Sequence, residues 1–89
     1  MKMHILKLAD KYIMPVMVGT KCFEIRKDDR DYKLGDVIHF VQENGNDILL
    51  ESFTLFKITY ILRDVSKYGL QDGYCILGIR RLVIGDING

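Results

Sequence analysis

A mainly β domain with one short helix, its sheet curled into a small closed or half-closed barrel capped by that helix, is the fold class this sequence predicts. Three observations lead there. Short runs of alternating or β-branched apolar residues recur along the chain, most of them bounded by Gly, Asn or Asp. Only residues 9–18 show helical spacing followed by a glycine stop. And 89 residues allow one domain with one core, so the sheet has no second layer to hide its edges and must curl or be covered.

The elements follow in chain order. Met3–Leu8 (MHILKL) reads as a strand buried on most sides. His4 shares a face with Leu6 and Leu8, which predicts a core or rim histidine rather than a ligand or a base. In residues 9–18, Tyr12, Ile13, Val16 and Met17 fall on one stripe. Asp10 is placed to cap the helix and Gly19 to stop it. Pro15 removes one backbone donor and clashes with the preceding turn, at about 3 kcal/mol. A short or kinked helix is therefore expected.

Residues 20–27 alternate, with Phe23 and Ile25 on one side and Cys22, Glu24 and Arg26 on the other. This predicts a half-buried strand whose polar side faces water. Residues 28–33 form a charged loop, and Leu34-Gly35-Asp36 a turn. Val37–Gln42 is a β-branched and aromatic strand. Asn44-Gly45 is a hairpin signal. Residues 48–62 resume β character with a break near Glu51 and Ser52, since fifteen residues is long for one strand. There Phe56, Ile58, Tyr60 and Leu62 share one parity, and Lys57, Thr59 and Ile61 the other. Residues 63–73 connect, with one helical turn at 64–68. Residues 74–83 are the last strand, in which Gly78 signals a bulge or a close backbone approach. Residues 84–89 read as a tail.

Composition narrows the function classes. Apolar residues make up 48% of the chain, and no apolar run approaches the roughly 20 residues that cross a bilayer. The N-terminus lacks a secretory pattern, so a cytoplasmic protein without a membrane partner is expected. Two cysteines, Cys22 and Cys75, are expected to be reduced and buried. With His4 and His39 they form no CxxC or HxxxH pair, so neither a metal nor a cofactor is expected. The net charge is only +1. Residues 1–35 nevertheless carry eight Lys/Arg against five Asp/Glu, while residues 36–89 carry five against seven. The first third is the favoured place for an anionic partner.

The charge concentrates further. Residues 19–36 hold ten of the chain's twenty-five Asp, Glu, Lys and Arg residues, interleaved with Phe23, Ile25 and Tyr32. Lys21 offers a mobile ammonium. Arg26 and Arg30 offer planar forks that suit phosphate oxygens or stack on a base. Tyr12, Tyr32 and Tyr74 are candidate stacking faces. Glu24 either accepts from a base or ribose or holds Lys21 and Arg26 in place. On a flat strand Lys21 and Glu24 face opposite ways. They share a cleft only if the strand begins after Lys21 or carries a bulge. The bland alternative is a surface pair between Glu24 and Arg26, with Asp29, Arg30 and Asp36 bracing the loop.

These residues carry a resemblance. His4-x-Leu6-Lys7, Gly19-x-Lys21-x-x-Glu24-x-Arg26-x-x-Asp29-Arg30 and Gly35-Asp36 resemble the ASCH domain, in particular its small, often phage-borne branch of unknown function. Ile58-Thr59-Tyr60-Ile61-Leu62 and Gly69-Leu70-x-Asp72-Gly73-Tyr74 are similar to the same branch. The resemblance spans residues 3 to about 80. It implies a PUA-like β-barrel with a cleft formed by the helix and the stretch after it, in a group generally proposed to bind RNA. Joined to the reading of the residues, RNA or a nucleotide is the expected partner, with Lys7, Tyr12, Lys21, Glu24, Arg26 and Arg30 as the expected contacting set. One branch of the ASCH group is an acetylcytidine amidohydrolase with catalytic lysine, threonine and glutamate. Aligned on Gly-x-Lys, its lysine falls on Lys21 and its threonine on Glu24. Its glutamate has no counterpart, because residues 74–83 contain no acid. A hydrolase of modified nucleosides would thus rest on Lys21 and Glu24 alone. A phage-type protein-interaction module is the third reading.

Overall fold

The computed structural model describes residues 1–43 and 54–82. The elements are β1 (Met3–Leu8), α1 (Asp10–Met17), β2 (Phe23–Lys27), β3 (Val37–Gln42), β4 (Phe56–Leu62), a 3₁₀ turn (Val65–Tyr68) and β5 (Tyr74–Arg81). The strand, short helix, four-strand order is the expected one, and the single helical turn falls where residues 64–68 predict it. The Asn44-Gly45 turn, the break near Glu51 and the tail at 84–89 lie outside the described residues.

The strands form one sheet in the order β1-β3-β4-β5-β2. β1 and β3 are parallel, with Met3 opposite Val37 and Leu8 opposite Gln42. The other pairs are antiparallel. Strands β1 and β2 are the two edges, yet side chains at the β2 end reach the β1 backbone. Arg26 Nη2 donates to Lys7 O at 2.5 Å and Arg30 Nη1 to Ile5 O at 2.9 Å. Five strands whose outermost members touch this way describe a curled half-barrel. The arginines occupy carbonyls that an edge strand otherwise exposes.

The core lies on the concave face. Leu6 and Leu8, Ile38 and Phe40, Phe56 and Ile58, and Cys75, Leu77 and Ile79 supply it, and the helix adds Val16 and Met17. Helix α1 is short, as Pro15 requires. Its cap differs from the expectation. Ala9 is the N-cap, with no side-chain hydrogen bond, and Asp10 is the first helical residue. There its carboxylate meets the positive end of the helix dipole instead of bonding an amide. Gly19 does end the helix, at φ +85°. Arg81 Nη2 donates to Met17 O at 2.5 Å, tying the helix C-terminus to β5.

Two local features break simple alternation. The β4–β5 register shifts between Ile58 and Tyr60. Phe56 and Ile58 therefore point inward while Tyr60 is exposed, and Ile61 packs on the core instead. Gly78 lies opposite this shift. A Cβ there would sit 3.1 Å from Thr59 Oγ1 and 3.3 Å from Tyr60 Cβ. That is the close approach the glycine signals. Gly78→Val is expected to cost about 2 kcal/mol of stability by overpacking, read as a lower urea midpoint at unchanged slope.

Candidate functional site

A cleft of about 430 Å³ opens between the end of β1, helix α1 and β2. Lys7, Leu8 and Ala9 form one wall, Tyr12 projects from the helix, and residues 23–27 of β2 form the other wall with Lys21 and Tyr74. Strand β2 begins at Phe23, after Lys21. The amide of Lys21 donates to Pro15 O at 2.9 Å, so the chain leaving the helix folds back on it. That placement turns the Lys21 side chain onto the same side as Glu24.

A three-charge cluster results. Glu24 is 4% exposed. Its Oε1 accepts from Lys21 Nζ. Its Oε2 accepts from Arg26 Nε at 3.0 Å and Nη2 at 2.9 Å. Lys21 Nζ also donates to Phe23 O at 2.9 Å. It lies 4.7 Å from the Tyr12 ring centre and 4.9 Å from that of Phe23. The ammonium is therefore held between a carboxylate, a carbonyl and two aromatic faces, an arrangement that stabilises a cation away from bulk water. Glu24 has both oxygens engaged within the protein and acts as the anchor of the two cations.

The wet and dry faces of β2 are the reverse of the expectation. Glu24 points inward, while Phe23 and Ile25 are 43% and 45% exposed. Alternation defines two faces without saying which is inside. Here the carboxylate is buried because Lys21 and Arg26 pair with it.

A second buried pair sits at the other end of β1. His4 Nε2 and Asp36 Oδ2 are 2.8 Å apart, both side chains buried. Asp36 also accepts from the backbone amides of Lys2 and Lys33, each at 3.1 Å. Burial opposes its ionisation, but the hydrogen bonds from His4, Lys2 and Lys33 outweigh that and hold the carboxyl below its usual range. The His4 ring packs against Tyr32 with centroids 4.7 Å apart. Tyr32 is 2% exposed, so it is a core residue and not a stacking face. Burial raises its phenol pKa, with Arg26 and Arg30 opposing. Arg63, which the sequence reading passed over, clamps the 28–33 loop: Nε donates to Asp28 at 2.7 Å and Nη2 to Tyr32 O at 2.9 Å. Cys75 is buried, and burial pushes its thiol up to about 11. Cys22 is exposed, contrary to expectation. Among the described residues, no three His, Cys, Asp or Glu side chains gather as a metal site. Nor is any described helix long and apolar enough to cross a membrane.

Residues 3–79 match the family described as "Domain of unknown function (DUF3850)". The chain belongs to this family. A crystal structure of hypothetical protein PH0355 has the same fold, with a TM-score of 0.61 over 92% of this chain and 100% of that one. At 20% identity the likeness is one of fold alone. No curated protein matches the chain.

In this DUF3850 domain, then, Lys7, Tyr12, Lys21, Glu24 and Arg26 line one cleft. Arg30 is outside its lining and bonds the β1 edge at Ile5 O. Sequence reasoning missed Lys27 as a further cationic wall residue. Its shared parity with Phe23 and Ile25 was the available signal, hidden by assigning that face to the core.

Proposed function

We propose that this cleft binds a nucleotide or a short single-stranded RNA segment in the cytoplasm, and that the domain is a PUA-like barrel related to the ASCH group. The observation that carries the reading is the pairing of cations with aromatic faces in one hollow. Among the described lining residues, Lys7, Lys21, Arg26 and Lys27 stand against one carboxylate, that of Glu24, beside Tyr12, Phe23 and Tyr74. Phosphate donors, a planar surface for a base and a few polar groups are what single-stranded nucleic acid requires. The volume of about 430 Å³ lies in the range of small-ligand sites.

Fluorescence anisotropy with short single-stranded RNAs across a salt series tests this. The logarithm of affinity should fall linearly with the logarithm of salt. Lys21→Ala and Arg26→Ala, assayed well below their melting temperatures, should each weaken binding roughly tenfold and lower the salt slope by about one phosphate contact. Affinity that ignores salt, or no binding by any RNA, removes the proposal. A hydrolase would need Lys21 as base and Glu24 as acid. Lys21 Nζ is instead engaged as donor to Glu24 and Phe23 O, and Glu24 accepts from two cations. Binding without turnover is the function this geometry favours.

A further inference from the structure

The cleft touches five consecutive residues of β2, from Phe23 to Lys27. Successive side chains of a strand point to opposite faces. A hollow that meets all five must therefore border the strand's edge, where the backbone itself is presented. Which backbone groups face it follows from the pairing. Ile79 N donates to Cys22 O at 3.0 Å and Asp28 N to Gly73 O at 2.9 Å. Both bonds fit the register that sets Glu24 opposite Leu77 and Arg26 opposite Cys75. In an antiparallel ladder these even-numbered residues make the bonds to β5, and the odd-numbered ones turn their N–H and C=O outward.

Of those outward groups, two carbonyls are occupied. Phe23 O accepts from Lys21 Nζ at 2.9 Å and Lys27 O from Asp29 N at 3.0 Å. Ile25, midway between them, has neither its N–H nor its C=O bonded to any described residue. Ile25 thus holds the one complete donor–acceptor pair among the described residues of this edge; at Phe23 and Lys27 only the N–H stays open, beside a carbonyl already taken. An added peptide strand needs a row of complete pairs, and here the carbonyls of Phe23 and Lys27 are already occupied. The Ile25 pair suits one planar group carrying an adjacent acceptor and donor.

We infer that the Ile25 backbone reads the Watson–Crick edge of an unpaired nucleobase. This rests on the nucleotide-binding reading and makes it specific. The base hydrogen-bonds to Ile25 N–H and C=O, while Lys21 and Arg26 supply cations and Tyr12 an aromatic face within the same cleft. Every nucleobase has a donor and an acceptor side by side on that edge, and base pairing or methylation there removes them. The ligand class is a nucleotide or single-stranded RNA with an exposed Watson–Crick edge, and duplexes are excluded.

The test is titration of ¹⁵N-labelled protein with the four ribonucleoside 5′-monophosphates. The best binder is then compared with its analogue methylated at the Watson–Crick ring nitrogen. The Ile25 amide resonance should move with the unmodified nucleotide, and the methylated one should bind about tenfold more weakly or worse, the loss of a hydrogen bond with its partner left unpaired. Ile25→Pro deletes this donor without touching the ladder, a substitution an edge strand tolerates. It should weaken binding by a similar factor at an unchanged circular dichroism spectrum. Equal affinity for both nucleotides, or a stationary Ile25 amide while Lys21 and Arg26 resonances shift, overturns base readout and leaves phosphate binding standing. No shift with any nucleotide or RNA removes both. A peptide that moves all the amides of residues 23–27 where nucleotides do not also overturns the inference.

Discussion

Asp36→Ala is expected to be among the most destabilising single substitutions in this chain, at about 3–5 kcal/mol. The Asp36 side chain is 5% exposed, and its carboxylate accepts from three donors: His4 Nε2 and the amides of Lys2 and Lys33. Alanine leaves all three without that acceptor; the His4 bond is buried and the two amide bonds half-buried, and an unpaired buried donor costs about 1–3 kcal/mol. A domain of this size has only on the order of 5–10 kcal/mol to lose. The melting temperature should fall by roughly 15–25 °C. A fall of only a few degrees would show that water reaches the site and replaces the carboxylate.

The same residue sets an acid limit. Its pKa is lower in the folded protein than in the unfolded chain, because the hydrogen bonds from His4 and the two amides outweigh burial. Its stabilisation is therefore complete above the unfolded carboxylate range, about pH 4. It is lost as pH falls through the lower folded value. Urea midpoints measured from pH 6 downward should drop at the acid end for the wild-type chain. The Asp36→Asn profile should be flatter there, starting from a lower plateau. Parallel profiles would assign the acid limit to other carboxylates.

Glu24→Ala should cost about 3 kcal/mol, a melting-temperature loss of roughly 12–20 °C. Its side chain is 5% exposed and sits between Lys21 and Arg26, themselves 16% and 21% exposed. Without it, two cations face each other with no counter-charge in a partly closed cleft. Denaturation midpoints decide between this and a solvated pair, for which about 1 kcal/mol or less is expected. Glu24→Gln separates the contributions, since the amide keeps the shape and one acceptor while losing the charge.

Much of the fold is legible in the residues. The apolar run of β1 and the β-branched run of β3 give strands at their observed bounds. Pro15 and Gly19 give a short helix and its stop, and Gly78 a close backbone approach. The sharing of one cleft by Lys21 and Glu24 follows from where β2 must begin. What is not legible depends on partners distant in sequence. Glu24 is inside because Lys21 and Arg26 pair with it, so a polar residue marks the buried face of β2. Tyr32 lies in a charged loop but is buried against His4. The register shift at Thr59 exposes Tyr60 and turns Ile61 toward the core, which alternation alone cannot reveal. Nor does a linear pattern show that residues 5 and 7 on one edge meet residues 30 and 26 from the other.

That last meeting has a consequence for how the wall is fastened. Where a sixth strand would complete a tube, two guanidinium groups lace the gap by gripping the carbonyls of Ile5 and Lys7. Among the described residues, parting the lacing breaks side-chain contacts and no ladder bond. Among the described residues this seam is therefore a line of low resistance in the wall, and it runs beside the hollow that Arg26 also lines.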